Sequence, residues 1–221
     1  MANYDPISLP VNRPVSSLID RIHRRVAGDR RISVLAREIA ELLPPGSSVL
    51  DVGCGPGTLT SRVAALRPDC TYRGIDVMVR PDSVIPVEQY DGRRMPLSDA
   101  SVDVVMFVDV LHHTADPNVL LREAKRVARQ CVIIKDHRRD GLLADATLRV
   151  MDWVGNAHHG VRLPYNYLSE REWRAAFSAA RLHPDVWRER LGIHSAVLDP
   201  LVGRRLHFLA RLTPLAVRAA P

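Results

Sequence analysis

The sequence predicts an α/β fold, a mostly parallel sheet with helices on both faces, and three observations lead there. Strand-length apolar runs alternate with helical patterns from residue 48 to 137. Those runs are nearly continuous in Val, Ile and Leu, as expected for parallel strands buried on both faces. A glycine-rich turn, "GCGPG", joins the first run to a helix. Units of this kind connect as right-handed βαβ crossovers. At 221 residues and 46% hydrophobic, the chain is long enough for one full core, so a single domain over 1–221 is expected.

Taken in order, "PVSSLIDRIHRRVA" (14–27) and "DRRISVLAREIAELL" (29–43) carry apolar residues at helical spacing, with "GD" between them and "PPG" after. Two amphipathic helices are expected. Strands follow at "SVLDV" (48–52), "TYRGIDV" (71–77), "SVIPVEQYD" (83–91), "SVDVVMFVDV" (101–110) and "QCVIIKDH" (130–137), with helices near 57–66 and at 116–129. An insertion over 138–168 precedes the helix "LSEREWRAAFSAARL" (168–182). The last third, 169–221, holds that helix and two strands, "HPDVWRERL" and "RRLHFLARL". Arg204, His207, Arg211 and Arg218 also recur at helical spacing, as in a basic membrane-surface helix, but the strand reading is preferred.

The net charge of +6 is unevenly spread, with 18 basic and 17 acidic residues in 1–137 and 13 and 8 in 138–221. Five of the six excess charges lie in the last third, which argues against a nucleic-acid partner. No run of about 18 apolar residues and no leader-like start occurs, so a soluble, cytoplasmic protein is expected, with peripheral membrane contact left open. Cys54, Cys70 and Cys131 lack metal or disulfide spacing, so reduced thiols and no metal site are expected.

The glycine turn narrows the ligand. Gly53, Gly55 and Gly57 are followed by Thr58 where a dinucleotide fingerprint has its third glycine, and no GK[ST] follows to make a phosphate loop. Asp51 precedes the turn, and a carboxylate there repels phosphate but suits a cation. Asp76, 19 residues after Gly57, stands where a carboxylate accepts both hydroxyls of a ribose. Asp91, with Gly92 giving the base room, ends the third run and suits an adenine amine. A cationic adenosine ligand results.

With "VLDVGCGPGTLT", "GIDV", "YDGRRMPLSDASVDVVMFVDVLHH" and "VIIKDH" in this order, the chain resembles the class I S-adenosylmethionine-dependent methyltransferases, type 11 group, which includes ubiquinone- and menaquinone-biosynthesis methyltransferases. The resemblance spans about residues 30–137. It implies a Rossmann-like seven-stranded sheet with an antiparallel last strand, and S-adenosyl-L-methionine as cofactor in the core 44–137, behind the N-terminal helices 14–43. It places Asp51 and Gly53 near the methionyl amine, Asp76 on the ribose with Val77 beside it, Asp91 on adenine, and Phe107 and Val108 beside the sulfonium.

Methyl transfer needs a base only if the nucleophile must lose a proton. His113, His112 and His137 are the candidates, the last with Asp136 as an oriented pair. The insertion, in the place of a substrate cover, offers Trp153, His158, His159, Tyr165 and Tyr167. The expected reaction is methylation of a small apolar acceptor: prenylated, lipid-like or a secondary metabolite. The competing readings are a nucleic-acid methyltransferase, disfavoured by "DVLH" where [ND]PP[YF] would stand, and a non-catalytic S-adenosylmethionine-binding partner subunit. Acceptor, methylated atom and oligomeric state stay open.

Overall fold

The computed structural model describes residues 18–156, 165–193 and 206–215. Its order is α1 (Leu18–Leu42), β1 (Ser48–Val52), α2 (Thr58–Leu66), β2 (Thr71–Asp76), β3 (Val87–Gln89), β4 (Val102–Val108), α3 (Pro117–Val127), β5 (Ala128–His137), α4 (Ala144–Asn156), α5 (Glu170–Ala179), β6 (Leu182–Arg188) and β7 (His207–Pro214). A short 3₁₀ turn, Leu111–His113, follows β4. The seven strands form one sheet in the order β3-β2-β1-β4-β5-β7-β6, and β7 runs antiparallel to both its neighbours. The sheet is therefore the Rossmann-like one expected, and the strand reading of "LHFLARL" holds.

Two expectations are corrected. The N-terminal segment is one helix, not two, because "GD" does not break it: a lone interior glycine costs only about 1 kcal/mol relative to alanine. Beyond that point Leu35, Ala36, Ile39 and Leu43 are buried in the core layer that also holds Val63 of α2. The third strand is shorter than "SVIPVEQYD" suggests, only Val87–Gln89. Pro86 carries no N–H for a ladder, and the residues before it form turns.

The sheet separates two apolar layers. Val105 and Phe107 of β4 point to the layer containing Leu120, Leu121 and Trp173 from α3 and α5, whereas Val104 and Met106 point to the α1 and α2 layer. This period-two alternation buries the Phe107 ring completely in the first layer. The expectation that Phe107 lies beside the sulfonium is thus corrected for its side chain. Asp116 caps α3 by accepting from the Asn118 amide, and Ser169 with Glu172 forms a capping box on α5. Strand order reverses between β1 and β4, and at such a switch point the carboxyl ends of the strands open a crevice.

Candidate active site

The glycine turn lies on that crevice. Gly53 and Gly57 have φ of 72° and 78°, and a Cβ on them would stand 2.7 Å from Val110 Cγ2 and 2.4 Å from Ile85 Cγ1. Both sites therefore exclude side chains by conformation and by space. Gly55 differs: a Cβ there would meet nothing within 4 Å, so it faces open room. A further glycine, Gly74 on β2, lets Cys54 pack beneath the turn, because its Cβ would lie 2.4 Å from the thiol sulfur.

Two of the three acids are fixed by backbone amides, and the third by a hydroxyl. Asp76 accepts from the Gly55 amide (2.8 Å) through Oδ2 and from the Met78 amide (3.0 Å) through Oδ1. Asp91 accepts through Oδ1 alone from the amides of Arg93 (2.7 Å) and Arg94 (2.8 Å), and these bonds lower its pKa. Asp51 is 4% exposed and accepts from the Thr60 hydroxyl. Burial pushes its carboxyl up to about 7, against the Thr60 bond and with help from the charge of Asp76.

Two chambers flank the turn. One, of about 820 Å³, is lined by Asp76, Val77, Tyr90, Asp91, Gly92 and Val110 among others. The other, of about 750 Å³, is lined by Arg31, Leu35, Asp51, Val108, Asp109 and Met151 among others. Gly53 and His113 line both.

At the ends of β4, β5 and β7 stands a buried polar cluster. Asp109 has a left-handed backbone (φ 56°) and accepts from Arg31 on α1 and from Lys135 on β5. Burial works against its ionisation, but Lys135 and Arg31 hold it well below the usual carboxylate range. Lys135 Nζ lies 3.4 Å from His207 Nδ1 of β7, and burial lowers the lysine's pKa while Asp109 opposes. Asp136 receives three donors: the Leu111 amide (3.0 Å), the His137 amide (2.7 Å) and the His112 ring, Nδ1 to Oδ1 2.6 Å. The sequence expectation paired Asp136 with the His137 ring, but that nitrogen stands 3.6 Å away. Burial and the charge of Lys135 push His137 down to about 4. His112, Asp136 and His137 could together bracket a cation, yet Asp136 is already occupied by its donors and Lys135 adds positive charge beside it.

The expected cover residues divide. Tyr167 is buried, stacks on His112 (centroids 5.4 Å apart, planes at 25°) and donates to the Leu148 carbonyl, so it backs the histidine and does not line either chamber. Tyr165 is half-buried beneath the Arg149 guanidinium, 5.1 Å from its ring centroid. Trp153 lies on α4, and the position of its side chain, like His158 and His159 entirely, is outside the described residues. Among the described residues of the insertion, Met151 lines the chamber wall. Arg31, Asp109, Lys135 and His207 were missed in the sequence. Among the described residues no helix is long and apolar enough to cross a membrane.

Residues 50–133 match the methyltransferase domain family. A dimethylglycine N-methyltransferase of Parasynechococcus marenigrum is 27% identical over 179 residues, covering 74% of this chain and 61% of that protein. The 27-O-demethylrifamycin SV methyltransferase of Amycolatopsis mediterranei is 32% identical over 110 residues, covering 43% and 40%. The chain thus spans less than two thirds of the length of these curated relatives. A crystal structure of a S-adenosylmethionine-dependent methyltransferase from Aquifex aeolicus shares the fold, with a TM-score of 0.59 at 19% identity over 87% of this chain and 96% of that one.

Proposed function

We propose, for a chain whose residues 50–133 match the methyltransferase domain family, that it moves the methyl group of S-adenosyl-L-methionine to an oxygen of a small acceptor. The observation that carries this reading is the divided cleft at the β1–β4 switch point, whose two chambers share Gly53 and His113. The residues present fit the cofactor. Gly53 lines both chambers at a point where a Cβ would stand 2.7 Å from Val110, and Asp76 keeps lone pairs for a ribose beyond its two amide bonds. In this reading Asp91 and Gly92 take the adenine edge, Val77 lies along the nucleoside, Asp51 meets the methionyl amine, and Val108 bounds the methyl. When bound, the cofactor supplies an electrophilic methyl group on a sulfonium.

The acceptor then occupies the chamber of Arg31, with Leu35, Leu59 and Met151 as apolar wall. Transfer to a hydroxyl needs a proton acceptor, and His112 is the one that a buried carboxylate orients. Its Nδ1 donates to Asp136, which holds the ring at the chamber wall. His113, on the shared wall, positions the reacting groups. His137, pushed down to about 4, is a poor base and serves as scaffold; its carbonyl accepts from Trp173 Nε1 at 2.9 Å. Relatives named for dimethylglycine and 27-O-demethylrifamycin SV support a small-molecule acceptor.

The test is incubation with methyl-labelled S-adenosylmethionine and a small-molecule extract. The expected result is label in a low-mass product. Label in nucleic acid, or none despite cofactor binding, contradicts it and favours a nucleic-acid enzyme or a binding subunit respectively.

A further inference from the structure

The acceptor chamber carries a charge pattern that methyl transfer by itself does not require. Its described wall holds Arg31 and Arg80, with Lys135 behind them on Asp109, against two acids, Asp51 and Asp109. Asp109 is neutralised by Arg31 and Lys135 together. Asp51 is matched, in the loaded site, by the methionyl amine that it is read to meet. Behind the wall, the charge of Asp136 is shared among three donors. The chamber is therefore cationic on balance, and a bound sulfonium would add to that.

Of the two arginines on the described chamber wall, Arg31 is already paired with Asp109. Among the described residues no carboxylate lies within ion-pair distance of the Arg80 guanidinium. Its place on the β2–β3 connection is fixed, because its carbonyl accepts from the hydroxyl (2.8 Å) and amide (3.3 Å) of Ser83. The same connection reaches the glycine turn, where the Val84 amide donates to the Pro56 carbonyl at 2.8 Å. Arg80 thus lines the chamber beside Pro56 and Thr58 without a counter-charge.

We propose that the acceptor bears an oxyanion, a carboxylate or a phosphate, which Arg80 holds while the hydroxyl to be methylated reaches His112. A guanidinium in a half-enclosed site matches either group with a forked pair of donors. The same field disfavours an acceptor that enters as a cation. This proposal rests on the methyl-transfer reading and specifies its substrate class.

The experiment measures affinity by calorimetry on the full chain saturated with S-adenosylhomocysteine. Its probes are 4-hydroxybenzoate, 4-hydroxyphenyl phosphate and the neutral 4-hydroxybenzamide. One anion is expected to bind at least about tenfold more tightly than the amide, and which one wins tells carboxylate from phosphate. Arg80→Gln should erase the preference, Arg80→Lys should retain part of it, and neither should move S-adenosylhomocysteine affinity or the thermal midpoint. No preference for an anion, or a preference that survives Arg80→Gln, overturns the proposal. Weaker S-adenosylhomocysteine binding by a folded Arg80→Gln also overturns it, since Arg80 would then serve the cofactor. A wild-type chain that does not bind S-adenosylhomocysteine at all refutes methyl transfer itself, a result separable from the others.

Discussion

Replacing Asp76 isolates the nucleoside half of the cleft. Its carboxylate takes one backbone N–H on each oxygen, from Gly55 at 2.8 Å and Met78 at 3.0 Å. Those two bonds hold the carboxylate still and leave lone pairs for two ribose hydroxyls. Hydrogen bonds to a charged group contribute roughly 1.5 to 3 kcal/mol each, and two on one carboxylate do not add fully. Asp76→Ala should therefore weaken S-adenosylhomocysteine binding by about 1 to 3 kcal/mol, roughly a 5- to 150-fold rise in Kd. Asp76→Asn keeps one acceptor oxygen and should fall between. The loop amide of Gly55 also loses its partner, so part of the effect comes through a looser turn. Calorimetry with S-adenosylhomocysteine gives the Kd, and a thermal melt shows that the variants are folded. Unchanged affinity in a folded Asp76→Ala would refute the ribose assignment.

Three other outcomes follow from the same site. Asp51 is raised from 3.8 to about 7, so its ionised form is disfavoured in the folded state and its contribution to stability falls as pH rises between those values. Asp51→Asn should then stabilise the free protein at pH 8 by on the order of 2 to 4 kcal/mol in urea melts, while weakening S-adenosylhomocysteine binding; a destabilised variant would contradict the burial argument. Asp136→Asn leaves three donors facing a group with one carbonyl oxygen, and should lower turnover by roughly 10²- to 10⁴-fold with an altered pH–rate profile; turnover within about threefold of wild type would remove His112 as the oriented base. Gly57→Ala brings a Cβ to 2.4 Å from Ile85 at a φ of 78° and should cost about 1 to 3 kcal/mol, part of it recovered by Ile85→Ala, with equilibrium unfolding as the readout.

The fold was legible where local pattern and burial agree. The apolar runs at 48–52 and 101–110 could only be central strands, and they are β1 and β4. The antiparallel β7 was carried by resemblance, since nothing in "LHFLARL" alone states its direction. Boundaries failed where one residue acts against its neighbours: Gly28 was too weak to break α1, and Pro86 was strong enough to shorten β3. In the site, Asp51, Asp76 and Asp91 could be found because each follows or ends a strand at a set distance from the glycines. Lys135 was harder, although a lysine inside "QCVIIKDH" at a buried position demands a counter-ion, and that demand points to Asp109. Arg31 and His207 could not be inferred, because α1 and β7 lie far from Asp109 in sequence and meet it only after the sheet is assembled. The pairing of Asp136 with His112 instead of the His137 ring was hidden for the same reason: it depends on the 3₁₀ turn that folds His112 back over β5.

A crystal structure with S-adenosylhomocysteine would show which chamber holds the nucleoside and which faces the sulfur. Adenosine is expected in the chamber of Asp76 and Asp91, with ribose hydroxyls on Asp76, and the sulfur at the Gly53 and His113 wall facing the chamber of Arg31 and Met151. A nucleoside lying in the Arg31 chamber, or a ligand that leaves Asp76 and Asp91 untouched, would contradict that placement.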